Sequence, residues 1–405
     1  MSDIVITGIG VISPIGVGRE TFWAGCREAR SGIKKITAFD TDSFGCGIAG
    51  TIDDFDPRRF MSPRVYRRMS KISRMAVAAS REALEDSGLD LDTTDRDRVA
   101  VVLGTSYGSS SHVEDFYVSL LKEGPRGAQP FLFPETVPNA PASHIAMFHG
   151  ITGPNTTFCQ NEISAESAIL YARDLLAHNL VDVVFAGGAE ELSQMLFSCY
   201  DAVGALCRTK AREDDSVRPE PGKGLVLGEG AGVLVMERGD HARARNARIY
   251  GRIRSGVITG GTAELGHYER EGTQMARAIR EVMKQSDMGP ADIDQIHVSA
   301  NFSGELDRME HDRLEALFGE RKTRLEVTPL KYLMGDFGGA GVVRAAAILL
   351  SLYYRQAPPT VRLKTLKGSD GPVIWDPAPS HKIATALMTS STFGGASASF
   401  VFTRE

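Results

Sequence analysis

Glu162 stands where a chain could present a reactive side chain, at a turn from a strand into a helix. The run Gly153, Pro154, Asn155, Thr156, Thr157, Phe158, Cys159, Gln160, Asn161, Glu162, Ile163, Ser164, Ala165 reads as a β-strand over 156–160 and a helix over 164–176 rich in Ala, Ile and Leu. The start of that helix would place partial positive charge beside residue 162. A carboxylate there can act as a covalent nucleophile, as glycosidases use it, or as an acid or base. It cannot hold an acyl chain as a thioester. Cys159 is a nucleophile by type, but three residues upstream of Glu162 it falls on the strand, and free cysteines usually serve as small buried hydrophobes. No histidine stands in a partnering segment, because His297 falls inside a strand and His311 on a polar helix. Both read as structural or solvated.

The elements that must hold this turn alternate between strand and helix. Residues 4–10 read as a buried strand closed by glycines, with a turn at 13–16. Gly8 and Gly10 begin a GxGxxG pattern, but Ser13 replaces its third glycine and no helix opens, which argues against a dinucleotide site. Helical spacing over 71–87 ends at Gly88, a C-terminal cap. A buried strand follows at 99–103. Residues 107–150, rich in proline and aromatics, read as an irregular excursion. Strand 156–160, helix 164–176 and strand 181–186 imply a parallel pair joined by a right-handed crossover. The glycine-rich 228–232 segment, between strand stretches over 225–236, reads as close backbone packing rather than phosphate binding, since no helix N-terminus follows it. Strands at 249–258 and 295–300, helices at 275–283 and 342–354, and final strands at 383–389 and 398–402 repeat the plan. Two α/β halves, 1–245 and 246–405, suggest a duplicated unit.

The chain has 405 residues, 42% hydrophobic and 24% charged, with a formal net charge of -5. That balance suits a soluble globular protein and gives no global attraction to nucleic acid. Five cysteines at irregular spacing (Cys26, Cys46, Cys159, Cys199, Cys207) contain no CxxC pair, which argues against a disulfide framework or a zinc site. With no signal-peptide pattern and no long apolar run, the expected setting is cytoplasmic, without a membrane span.

Several stretches, taken in order, resemble the β-ketoacyl-[acyl carrier protein] synthases, the condensing branch of the thiolase-like fold. They are the opening 4–10 strand, the 153–165 turn, the run from Arg218 and Pro219 to Gly232, the lysine-led loop 331–336, and Phe393-Gly394-Gly395. The resemblance implies a duplicated five-layered αβαβα architecture with mixed sheets. It also implies that the 107–150 insertion helps form the dimer contact and an acyl tunnel, with Phe116, Phe133, Phe393 and Gly394 as tunnel candidates. An ordinary surface cluster is the plainer account of the insertion's aromatics.

In such enzymes a cysteine carries the acyl chain, backbone N–H groups at the nucleophile and near the Phe393 loop polarise its carbonyl, and two histidines stabilise the enolate from a malonyl unit. Here Glu162 occupies the cysteine position, and Asn301 and Asp336 occupy the histidine positions. Asn301 offers an amide that cannot exchange a proton, and ionised Asp336 only accepts hydrogen bonds. One lost donor in such a site can cost on the order of 3 kcal/mol of barrier. The resemblance therefore implies a non-catalytic subunit of the chain-length-factor type. It would pair with an active ketosynthase in a type II polyketide, polyene or fatty-acid-like pathway, with an acyl carrier protein as partner and no cofactor or metal of its own. The alternatives are a malonyl-carrier-protein decarboxylase or acyltransferase using Glu162 and Asp336, and a homodimeric acyl-binding protein. A Glu162–Lys331 ion pair is expected to plug the pocket. Arg64, Arg67, Arg68, Lys71 and Arg74 form a basic patch that reads as a solvated or salt-bridged face, with docking of an acidic carrier protein as the rival.

Overall fold

The computed structural model describes residues 3–405 except 211–216, 218, 221, 265, 320–324 and 361–381. Arg218, part of one resembling stretch, lies outside the described residues. Thirteen strands are found among the described residues: β1 (Ile4–Ser13), β2 (Gly16–Val17), β3 (Ile33–Lys35), β4 (Ile48–Gly50), β5 (Val99–Gly104), β6 (Asn155–Phe158), β7 (Val183–Glu190), β8 (Gly230–Arg238), β9 (Gly251–Thr259), β10 (Gln295–His297), β11 (Glu326–Thr328), β12 (Thr385–Ser391) and β13 (Ser397–Thr403). Strands β3 and β4 form a separate small hairpin.

The main sheet shows the duplication directly. Its order is β11-β10-β12-β13-β9-β1-β8-β7-β5-β6, which divides at the short β9–β1 contact (Val5 opposite Arg252, Ile6 opposite Gly251). Outward from that seam the N-terminal half runs β1, β8, β7, β5, β6, and the C-terminal half runs β9, β13, β12, β10, β11. In both halves the first two pairings are antiparallel and the last two parallel. Each half is therefore a mixed sheet of the same topology.

Helices fill the layers between. Lys71–Ser87 covers the outer face of the first half and Thr273–Gln285 that of the second. Ser164–Ala177 and Ala340–Tyr354 lie together in the middle, where Ala165, Ala168, Ile169 and Ala172 share one core with Val342, Ala346 and Leu350. The Ala340–Tyr354 helix is buried from Ala340 to Leu352, as expected of a helix apolar all round. Helix, sheet, paired helices, sheet and helix make the expected five layers.

Local signals account for much of this. Ser70 caps the Lys71–Ser87 helix by accepting from Ser73 N, and Gly88 ends it at φ 61°. That helix lies almost against β1: a Cβ on Gly8 would stand 2.1 Å from Ala83 O, and one on Gly10 1.9 Å from Ala79 O. Those glycines serve helix–sheet contact. The 107–150 excursion departs from expectation, since it contains the helices Ser110–Glu123 and Ala140–His149. Its prolines concealed them. Pro141 stands in the first turn of its helix, where no backbone donor is lost, and only Ser110 of the first helix is fully buried, so no clean apolar stripe marks it.

No helix among the described residues is long and apolar enough to cross a membrane. The basic patch splits. Lys71 is held by buried Glu229 at 2.6 Å and Arg74 Nε donates to Tyr66 O at 3.0 Å, while Arg64, Arg67 and Arg68 are exposed.

Candidate functional site

The turn that carries Glu162 is built as a strand-to-helix corner. Asn161 takes a left-handed conformation at φ 47°, which asparagine tolerates better than most residues. Ser164 locks the corner, its Oγ donating to Asn161 O at 2.7 Å and accepting from Gln160 N at 2.8 Å. The side chain of Glu162 points inward and is buried. Its Oε2 accepts from the Thr392 hydroxyl and from Phe393 N at 3.3 Å. The backbone donor expected to polarise an acyl carbonyl is thus engaged by the glutamate itself. Oε1 has no hydrogen-bond partner among the described residues.

Asn301 and Asp336 face each other, with Asn301 Nδ2 donating to Asp336 Oδ2 at 2.7 Å and lying 2.9 Å from Tyr268 OH. Asn301 Oδ1 accepts from Ser303 N at 3.1 Å, so the amide has both N–H groups and its oxygen engaged inside the protein. Lys331, 1% exposed, approaches Asp336 Oδ1 at 2.6 Å and Ser299 Oγ at 3.2 Å. The expected Glu162–Lys331 pair does not form. Lys331 and Asp336 share one short loop held by Gly335 N donating to Lys331 O, so the ammonium meets the nearer carboxylate, while Glu162 is served by neutral donors from the Phe393 loop.

Burial pushes the Glu162 carboxyl above the ordinary carboxylate range, and the Asp336 charge adds to the push. The Thr392 hydroxyl and the Lys331 ammonium oppose it. Both donors that reach the Glu162 carboxyl are accepted by Oε2. Beside Glu162 lies a cavity of about 10 Å³ lined by Tyr107, Glu190, Leu196, Tyr200, Leu225 and Asp336 among others. That is room for about one water molecule. Burial raises Glu190 to about 8, against hydrogen bonds from Ser106 N, Thr105 and Tyr107 N.

Phe393 stands at the site, its ring 4.6 Å from that of Tyr268 and 6.2 Å from that of Tyr200. Phe116 and Phe133 pack on each other at 6.1 Å; neither they nor Gly394 line the cavity beside Glu162. Cys159 is exposed rather than buried and lies just past β6. His297 is fully buried at the end of β10, and His311 is buried on the Gly304–Phe318 helix. The 228–232 glycines act as backbone packing: a Cβ on Gly228 would meet Met334 O at 2.3 Å.

Sequence reasoning missed Thr392, Tyr268, Tyr200 and Glu190, and it missed a charge crossing between the halves. Arg344, fully buried, lies 3.5 Å from Glu166 Oε1 and donates to Ser390 Oγ at 2.7 Å and His297 O at 2.8 Å. A lone arginine inside the 342–354 apolar helix was the available signal, since such a charge needs a buried partner.

Comparison with known proteins shows the family. Residues 1–242 match the β-ketoacyl synthase N-terminal domain and residues 250–364 the C-terminal domain. A 3-oxoacyl-[acyl-carrier-protein] synthase 2 of Coxiella burnetii is 30% identical over 99% of this chain and 98% of its own. A putative polyketide β-ketoacyl synthase 1 of Streptomyces halstedii is 30% identical over 99% of this chain and 97% of its own. Among solved structures, the ishigamide ketosynthase/chain length factor superposes with TM-score 0.88 at 27% identity, covering 100% of this chain and 99% of that one. A β-ketoacyl synthase from Burkholderia phymatum gives 0.88 at 25% identity, covering 100% of both. The chain belongs to the β-ketoacyl synthase family, with the thiolase-like fold.

Proposed function

We propose that this chain is a non-catalytic ketosynthase-like subunit, of the chain-length-factor type, that completes an active β-ketoacyl synthase by pairing with it. The observation that carries the reading is the closed state of the three key positions. Glu162 takes the Thr392 and Phe393 donors, Asn301 has its amide fully engaged, and Asp336 is bound by Lys331. No thiol is offered to an acyl group. No uncommitted donor at residue 301 or 336 faces a developing enolate, and stabilising such charge requires donors already aimed at it.

Pairing is supported by the surface. Strand β6 ends the sheet, which leaves an edge able to accept another strand. The excursion displays Leu121, Phe131 and Phe133 at 84%, 72% and 59% exposure, side chains that a lone soluble chain gains little by presenting to water. A partner subunit covering this face would put Phe116 and Phe133 beside its own acyl channel, the tunnel role implied by the resemblance. An acyl carrier protein would then serve the pair.

The test is co-expression with the ketosynthase encoded nearest to it, followed by assays with acyl and malonyl carrier protein. A stable complex that condenses, and a lone chain that neither becomes covalently loaded nor releases CO2 from the malonyl thioester, are the expected results. A lone homodimer that decarboxylates malonyl carrier protein would replace this reading with an enzymatic one.

A further inference from the structure

Cys46 and Cys207 are 161 positions apart in sequence, and their sulfurs lie 3.1 Å from each other in the core. Both are free and fully buried. Their two segments are held side by side by Gly47 N donating to Thr209 O at 3.0 Å, and the second is tied to a third segment by Cys207 N donating to Leu225 O at 2.9 Å. The first segment leads into β4, and Gly50 at its end donates to Leu227 O at 2.9 Å. Leu225 and Leu227 are walls of the cavity beside Glu162. The thiol pair therefore lies directly behind the wall of the degenerate site, outside its chemistry.

The separation discriminates among possible roles. Two thiolates on one tetrahedral zinc stand roughly 3.8 Å apart when each Zn–S bond is about 2.3 Å. This pair is closer, and no group of three or more metal-ligating side chains occurs among the described residues. A disulfide needs about 2.05 Å, so roughly 1 Å of closure separates the present contact from a covalent bond. We propose that Cys46 and Cys207 form a reversible disulfide that braces the wall of the Glu162 cavity under oxidising conditions.

The two sulfurs are not equivalent. The contact between the sulfurs, helped by Thr209, lowers the Cys207 thiol from its ordinary range, whereas the same contact and burial push Cys46 up. Lys210, whose Nζ donates to Thr41 O at 2.5 Å, adds positive charge near Cys46. In this scheme Cys207 attacks and Cys46 resolves. The oxidant is hydrogen peroxide, small enough to reach a buried pair during local opening. The Cys207 sulfur attacks one peroxide oxygen, an S–O bond forms, the O–O bond breaks, and hydroxide leaves to be protonated to water. Cys46, losing its proton, attacks that sulfur; the S–S bond forms, the S–O bond breaks, and a second water leaves. Two thiols are oxidised and one peroxide is reduced.

The native chain is exposed to hydrogen peroxide, alkylated, unfolded and mapped without reduction. The expected result is a linked pair of peptides carrying Cys46 and Cys207, reversed by dithiothreitol, with the linked form melting several degrees higher because a long loop is closed. In a Cys46→Ser variant the link is absent and Cys207 is trapped by dimedone as the sulfenic acid. The proposal is overturned if both thiols survive peroxide that oxidises the exposed Cys159 and Cys199, or if Cys207 is lost without the 46–207 link. Either result is read from the native chain, so a variant that fails to fold leaves the test intact.

Discussion

In the N-terminal half the chain leaves β6, turns through Asn161 and enters the Ser164–Ala177 helix. In the C-terminal half it leaves β11, turns through Gly335 and enters the Ala340–Tyr354 helix. The strand order around the two turns is the same, and each turn carries one buried carboxyl group into the shared site. Their fates differ. Asp336 meets an ammonium supplied five positions earlier in its own loop. Glu162 meets no cation and is held by a hydroxyl and an amide from the opposite half. One buried carboxyl group is met by a cation and the other by neutral donors, with burial pushing Glu162 above the ordinary carboxylate range.

The sharpest way to break this contrast is Glu162→Cys. It puts a thiol at the start of a helix, where thiolate is favoured, so the variant should change from no covalent loading to stoichiometric loading by an acyl thioester, read by intact mass. Extension with a malonyl unit should still fail, because the Asn301 amide is committed within the protein and Asp336 is an acceptor. Condensation by that single variant would show that residues 301 and 336 do not limit the chemistry.

Next in size is Lys331→Met, which strands Asp336 without its cation. Breaking a buried pair from one side costs about 3–5 kcal/mol, to be measured by denaturant unfolding. A loss under about 1 kcal/mol would mean that Asp336 does not depend on the Lys331 ammonium.

Glu190 gives an effect with a defined sign. Its value of about 8 in the fold lies above the 4.5 of the free side chain, so the folded state binds the proton more tightly. Its contribution to stability is complete below about pH 4.5 and is lost as pH rises through about 8. Glu190→Gln should remove that decline, and the gap between the unfolding midpoints of variant and parent should widen from pH 5 to pH 8. Parallel curves would place the carboxyl in water.

The smallest change is expected from Glu162→Gln. An amide keeps the acceptor that Thr392 and Phe393 use, so stability near neutral pH should move by less than about 1 kcal/mol. A large loss would show that Glu162 is ionised and that Lys331 reaches it electrostatically.

Much of the fold was legible because its signals are local. The 71–87 helix was closed by Gly88, and the 342–354 helix was marked by its alanine- and leucine-rich run. The excursion at 107–150 was not, since its first helix faces outward and its prolines fall at helix starts and in connections. At the site, the motifs located Glu162, Asn301 and Asp336, but charge alone was a poor guide to pairing, and Lys331 was matched to the wrong carboxylate.

The sequence by itself determined which atoms stand at residues 162, 301 and 336: a carboxyl, an amide and a second carboxyl, set at turns fixed by glycine and helix signals. The tertiary structure decided what those atoms do. Thr392 lies 230 positions from Glu162, Tyr268 33 positions from Asn301, and Arg344 reaches Glu166 only because two helices from different halves are buried together. Whether a buried polar group finds a donor, a cation or a proton depends on neighbours that only the packed layers bring within reach.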